Sequence, residues 1–170
     1  GLHSGEKFTT NYFDKRYEGI TSNFIDWGVY FYGGLESGLV NYIKSEISQF
    51  NYFFDIGSNS GTISLPFSSE KNIKIICFEP MDYSYKKLIN NYKINNTIEK
   101  HKFHKVALSS KTGHDYIRFS SDNSNVGTAS LNSKGQNNKH DSKEKVILEK
   151  LDNLYKLENK NIFIKIDVEG

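Results

Sequence analysis

Apolar residues follow two rhythms along this chain. From Leu35 to Phe50 the positions Leu39, Val40, Ile43, Ile47 and Phe50 recur at the spacing of one face of an amphipathic helix. Beyond residue 51 short apolar runs take over. Tyr52–Ile56, Ile73–Glu79, Lys102–Leu108 and Asn161–Asp167 each read as a buried strand. Helical stretches separate the first of them. Thr62–Ser69 is compatible with a helix, and Tyr83–Asn95 carries Leu88, Ile89, Tyr92 and Ile94 behind Asp82 as a candidate N-cap. Alternation of this kind predicts an α/β fold: a doubly wound, mostly parallel sheet with helices on both faces.

Two regions fall outside that alternation. Residues 1–50 are rich in aromatics, with Trp27, Tyr30, Phe31 and Tyr32 ahead of the pair Gly33-Gly34. They are expected to form a segment whose helix packs on a core made by residues 51–170. Asp115–Ser120 alternates well enough for an antiparallel strand. The polar segment 120–145 that follows exceeds the roughly 12–15 residues of an ordinary loop. It is expected to be a mobile insertion or a lid, in which the less polar island Asn125–Leu131 docks as a short strand or turn. A fourth strand followed at once by Gly170 would leave an apolar edge uncovered. The sheet is therefore expected to be truncated there, as part of a longer polypeptide.

Composition narrows the class without identifying a partner. A chain of 170 residues makes one domain, large enough to bury about 70% of its unfolded surface. The net charge of +2 comes from interspersed acids and bases. Lysines 71, 74, 86, 87, 100, 102 and 105 alternate with apolar residues and read as solvated faces, so no nucleic-acid partner is expected. The single cysteine, Cys77, lies inside an apolar run and reads as a small buried hydrophobe in a reducing compartment. No apolar run approaches the roughly 18 residues that would cross a membrane. A soluble, cytoplasmic protein is expected. His101 and His104 have no third ligand at metal-binding spacing, so no metal is expected.

The chemistry concentrates where strands end. In Phe-Phe-Asp-Ile-Gly-Ser-Asn-Ser-Gly (53–61) an apolar run breaks at Asp55 into a loop with Gly57 and Gly61. A strand, a glycine loop and a helical start are how α/β proteins cradle a nucleotide-like ligand. The next run ends in Glu79-Pro80, where an acid can take both hydroxyls of a ribose. A dinucleotide fingerprint would need glycines at 59 and 62; Asn59 and Thr62 stand there, which disfavours NAD. The spacing present, Asp-x-Gly-x-x-x-Gly with a second acid after the following strand, resembles the first two motifs of the class I methyltransferases, which bind S-adenosyl-L-methionine.

Further motifs narrow the resemblance. Phe53–Leu65, Cys77-Phe-Glu-Pro80, Leu88 with Asn91 through Asn95, Lys105–Gly113, Leu151-Asp-Asn-Leu154 and Ile164-Lys-Ile-Asp-Val-Glu-Gly170 follow one another in order. That series resembles the FkbM family of methyltransferases over roughly residues 30 to 170. The resemblance implies a Rossmann-like fold, S-adenosyl-L-methionine as cofactor, and O-methylation of a hydroxyl on a sugar, glycan or natural product. It implies Gly57, Ser58, Asn59 and Gly61 under the methionine part and Asp55 toward its ammonium. Glu79 and Pro80 would lie at the ribose, Ala107 and Leu108 at the adenine edge, and Glu36 would help close the site. Bland alternatives exist for Asp55 as a turn cap and for Glu36 as a helix N-terminal acid.

On the fourth strand Phe163, Lys165 and Asp167 share one face and Ile162, Ile164 and Ile166 the other. A lysine there needs an anionic neighbour or water. Asp167 sits at the strand's carboxyl end, where open sheets bind ligands. A hydroxyl acceptor must lose a proton, so Asp167 is a candidate base or acceptor-orienting group, with Glu169 second. Equally, both acids could be loop acids held by Lys165. The rival functions are a non-catalytic or incomplete binding module, an N-methyltransferase and an NAD-dependent enzyme. Asp167-Val-Glu-Gly lacks the Asn/Asp-Pro-Pro-Tyr motif frequent in the N-methylating class.

Overall fold

The computed structural model describes residues 3, 5–119 and 142–168. It begins with an antiparallel hairpin of β1 (Lys7–Tyr12) and β2 (Lys15–Ile20). Phe13 and Asp14 turn the corner, both with positive φ, the combination a two-residue hairpin loop needs to match strand twist. Phe8, Tyr12 and Tyr17 point inward and are buried. Helix α1 (Phe24–Tyr32) follows, its N-terminus capped by Asn23, whose side chain accepts from the backbone N–H groups of Ile25 and Asp26 at 3.1 Å. Neither hairpin nor α1 was expected from the apolar rhythm. Helix α2 (Ser37–Glu46) and a 3-10 turn (Ile47–Gln49) were. Their predicted face is the one that packs: Val40, Ile43 and Ile47 are buried, and Leu39 and Phe50 lie against the same core.

Among the described residues, four parallel strands form the central sheet: β3 (Tyr52–Ile56), β4 (Lys74–Phe78), β5 (Lys102–His104) and β9 (Ile162–Ile166). Their spatial order is β5-β4-β3-β9. The chain thus steps outward from β3 to β5 and then returns to pair β9 with the other side of β3. The reversal makes a switch point between β3 and β9, and open α/β sheets bind their ligands at the carboxyl ends of the strands beside such a point. One sheet face packs Phe53, Ile75 and Cys77 against α2, the hairpin and Leu88 and Tyr92 of α3 (Asp82–Ile94). The other face packs Phe54, Ile56, Ile76 and Phe78 against Leu151 and Leu154 of α4 (Leu151–Leu154), Tyr155 and Leu157. The α/β class with a mostly parallel, doubly wound sheet is the one expected.

Several local expectations are corrected. Thr62–Ser69 forms no α-helix; it is a series of turns with a 3-10 segment at Leu65–Phe67. Pro66 sits inside that segment and has no N–H to continue a ladder. Lys102–Leu108 is two strands. It breaks after His104, and β6 (Ala107–Leu108) leaves the central sheet for a second one. There β6 runs parallel to β8 (Ser142–Glu149), which is antiparallel to β7 (Gly113–Phe119). The antiparallel strand expected at 115–120 is present as Gly113–Phe119, with Ser120 outside the described residues, but β8 was hidden because Ser142–Lys145 look like a continuation of the polar segment. The island 125–131 and the rest of 120–141 lie outside the described residues. Asp82 does not cap α3, because Met81 holds that position; its carboxylate instead meets Lys86 and Lys105, each at 2.6 Å.

β9 lies at one edge of the sheet among the described residues. Phe163 packs edge-on against Phe53 with ring centroids 5.4 Å apart. Ile164 and Ile166 on the opposite face are exposed. No helix among the described residues is long and apolar enough to cross a membrane.

Candidate ligand-binding site

A cavity of about 330 Å³ opens at the carboxyl ends of β3, β4 and β9. That is at the small end of the range for ligand sites, roughly 300–1,000 Å³. Its floor is the loop that leaves β3. Gly57 adopts φ +75, and a Cβ added there would sit 1.9 Å from the carbonyl oxygen of Asp167. Only glycine lets the first loop pass that close to the end of β9. The N–H groups of Gly57 and Ser58 both donate to Phe78 O, at 3.0 and 3.1 Å. The Ser58 hydroxyl donates to Asp55 O at 2.6 Å and accepts from the Phe78 N–H at 3.1 Å. Ser58 is thereby a buried strut between β3 and β4 as well as a cavity residue.

Glu79 is the best-held acid of the site. It is 6% exposed. One carboxylate oxygen accepts from the Asn59 N–H at 2.8 Å and the other from the Met81 N–H at 2.9 Å. Asn59 reaches this pose with φ +48, a conformation asparagine tolerates better than most side chains. Each oxygen keeps a second lone pair for a donor in the cavity. Burial pushes the Glu79 carboxyl up to about 7, against the pull of the Met81 and Asn59 N–H groups.

The other end of the cavity is built around Lys165. Its ammonium lies 3.2 Å from Asp55, 3.6 Å from Asp167 and donates to Gly57 O at 2.9 Å. This is the anionic company the sequence required of a lysine in a strand. Burial pulls the Lys165 pKa down, but Asp55, Asp167 and Glu36 outweigh it and hold the ammonium above its ordinary value. Glu36, just before α2, lines the cavity and makes no capping hydrogen bond to its helix. Burial raises its pKa, Lys165 opposes that rise, and Asp167 and Asp55 add to it.

Of the sequence-derived candidates, Glu36, Gly57, Ser58, Asn59, Glu79, Pro80, Ala107, Leu108, Lys165 and Asp167 line one cavity. Two do not. Asp55 is fully buried on the strand beneath it; among the described residues neither of its oxygens makes an aligned hydrogen bond, and its ionic partner is Lys165. Gly61 has φ +87, and a Cβ there would meet Leu88 Cδ1 at 2.8 Å, so this glycine serves the approach of α3. Glu169 lies outside the described residues. Sequence reasoning missed Ile25, Met81, Ser84 and Ile117 as cavity walls. Met81 and Ser84 could have been found as the turn after Glu79-Pro80, and Ile117 from the inward parity of β7. Ile25 had no signal, because the fold of residues 7–32 was not legible. His101 instead pins β4, its Nδ1 accepting from the Ile75 N–H at 3.1 Å and its Nε2 lying 2.9 Å from Ser68 O.

No family model matches this chain, and no curated protein does. Solved structures do resemble it. Pyrococcus horikoshii TYW2 in complex with MeSAdo aligns with TM-score 0.46 and 12% identity, over 69% of this chain and 55% of that one. Pyrococcus abyssi tRNA (uracil-54, C5)-methyltransferase in complex with S-adenosyl-L-homocysteine aligns with TM-score 0.43 and 16% identity, over 58% of this chain and 23% of that one. The chain thus spans 23% to 55% of these two structures. Likeness at this level assigns no reaction, so the chemistry has to come from the site residues.

Proposed function

We propose that this chain is an S-adenosyl-L-methionine-dependent methyltransferase of FkbM type, acting on a hydroxyl of a sugar, glycan or natural product. The observation that carries the reading is Glu79. It is a buried carboxylate fixed by two backbone N–H groups at the end of the second central strand, with free lone pairs facing a cavity floored by a left-handed glycine loop. That is the arrangement a ribose diol needs. The opposite end fits a cation. Glu36, Asp55 and Asp167 set three carboxylates around one ammonium, so a ligand with an ammonium and a sulfonium gains there. A nicotinamide dinucleotide would bring two phosphates to the same acids, which disfavours the NAD reading.

When bound, the cofactor supplies an electrophilic methyl group. The residues then have separate tasks. Glu79 would hold the ribose, with Pro80 beside it, and Ala107 and Leu108 would give the adenine an apolar edge. Gly57, Ser58 and Asn59 would bring backbone close to the ligand. Lys165 pairs with both Asp55 and Asp167 and so holds them in place. Asp167, more than two-thirds exposed at its side chain, can take a proton from an acceptor hydroxyl. Glu169 stays the second candidate base. Excluding water around the acceptor oxygen would do much of the rest.

We read residues 1–50 as a segment packed on the cofactor-binding core 51–170, and the setting as cytoplasmic, in line with the single buried Cys77. The acceptor we favour is a small molecule or glycan and not a nucleic acid, because the lysines alternate with apolar residues and form no basic stripe along the sequence. Calorimetric titration of S-adenosylmethionine, S-adenosylhomocysteine and NAD tests the reading. Both adenosyl ligands should bind wild type and fail with Glu79→Ala; a folded wild type that binds neither would end the enzyme claim. Asp167→Asn should leave cofactor affinity largely intact, with Glu36 and Asp55 still at that end, but reduce turnover, and equal turnover would leave it a structural acid.

A further inference from the structure

Asp26 is fully buried in the first turn of α1 and lies outside the cavity. Its Oδ1 accepts from the Tyr17 hydroxyl at 2.7 Å, and its Oδ2 accepts from the Ile20 N–H at 2.8 Å. Lys87 of α3 reaches both oxygens. The Tyr17 hydroxyl, itself buried, lies 2.7 Å from the Ser60 hydroxyl in the loop after β3. Asn91 of α3 donates to Ser60 O at 3.1 Å and accepts from the Glu18 N–H at 3.0 Å.

Each partner stands beside a cavity wall. Ile25 precedes Asp26, Asn59 precedes Ser60, and Ser84 is one helical turn before Lys87. The C-terminal turn of α1 then leads to Glu36, whose approach is fixed by the Tyr12 ring against Gly34. We infer that Asp26 and Lys87 are positioning residues for the ligand cavity: their ion pair ties α1 to α3, and Tyr17 extends the tie to the glycine loop, so that three walls hold one geometry.

The chemistry explains why this tie is ionic. A carboxylate buried with only two neutral donors would be poorly compensated, so loss of the Lys87 charge drives Asp26 toward water and α1 with it. Lys87 also runs over the Tyr83 ring, 5.6 Å from its centroid, and its side chain is only 16% exposed. The tie is therefore shielded from water, unlike a surface ion pair that solvent would loosen.

The ligand named in the test rests on the methyltransferase reading, so the experiment has two arms. In the first, S-adenosylhomocysteine is titrated into wild type, Lys87→Met, Lys87→Arg, Glu36→Gln and the Glu36→Gln/Lys87→Met double variant. Lys87→Met should weaken binding about five-fold or more, and Lys87→Arg should restore most of it. Glu36→Gln should weaken wild type yet add nothing in the Lys87→Met background, because the wall that carries it has already moved. Independent effects that add in the logarithm of Kd, or unchanged affinity with a lowered melting temperature, would overturn the inference.

The second arm needs no ligand. Amide hydrogen exchange in Lys87→Met and in the milder Tyr17→Phe should speed up together in α1 and in residues 57–62, with β4 unchanged. Acceleration in α1 alone would overturn the link to the loop. A wild type that binds no adenosyl ligand would sink the cofactor reading, while the exchange arm still decides the tie.

Discussion

Protonating Glu79 should switch off the proposed ribose end of the site, and the pH at which this happens follows from its burial. The folded carboxyl titrates at about 7, against an ordinary value of 4.5. At pH 6 roughly one molecule in ten would carry the charge, and at pH 8 roughly nine in ten. A diol that donates to the carboxylate should therefore bind about ten-fold more weakly at pH 6 than at pH 8, equivalent to ~1.4 kcal/mol. The suitable ligand is 5′-methylthioadenosine, which keeps the ribose and lacks the methionine α-amino group. Its Kd, measured by calorimetry across that window, should fall with rising pH and level off above 8. Glu79→Gln should bind weakly and show no such slope.

The same shift has a consequence for stability, with the opposite direction. An unfolded glutamate ionises near 4.5, whereas folded Glu79 keeps its proton to about 7. Between those values the folded state binds more protons. Its contribution is full below 4.5 and is lost as pH rises through 7, a loss of about 3 kcal/mol. Urea midpoints should thus decline over the interval in which ligand affinity rises. Affinity that is flat from pH 6 to 8, or a slope that survives in Glu79→Gln, would refute the assignment.

Other perturbations test the frame around this residue. Lys165→Met leaves Asp55 as a buried charge without compensation and should cost about 3–5 kcal/mol in urea unfolding; Asp55→Asn combined with it should recover much of that loss, and a neutral single variant would contradict the pairing. Gly57→Ala forces a Cβ against the Asp167 carbonyl at positive φ; a loss of at least about 2 kcal/mol is expected, and an unchanged denaturation midpoint would mean the two loops are not in contact. Burial pushes the Cys77 thiol up to about 12, so a thiol reagent should label it only after unfolding, and rapid labelling of the native protein would place it wrongly.

Legibility in the sequence tracked the range over which each signal acts. Strand β3 and the helical faces of α2 and α3 were readable because period and polarity are local properties. So was Glu79, since an acid directly after an apolar run can only sit at a strand end. The hairpin β1–β2 escaped because its turn, Phe13-Asp14, carries none of the Asn-Gly chemistry that announces such loops. Strand β8 escaped because its outer face, Lys143 and Lys145, is as polar as the segment before it. Only its partner β7 distinguishes Val146 and Leu148 as core.

Two residues of the first motif, Asp55 and Gly61, show the same limit at the level of single residues. Asp55 and Gly61 looked like ligand contacts because the motif spacing puts them beside Gly57. Spacing along a chain does not say which side of a strand an atom occupies. Asp55 follows Phe53 onto the core face by the period of two, and register opposite Lys165 then converts it from a contact into a counter-charge. That register depends on β9, more than a hundred residues away in sequence. Its chemical consequence is that the charge at the Lys165 end of the cavity is shared. Asp55 holds Lys165, and Lys165 in turn holds Asp167 and the Gly57 carbonyl. A substitution at Asp55 should therefore disturb the candidate base and the glycine loop together, and more than it disturbs Glu79.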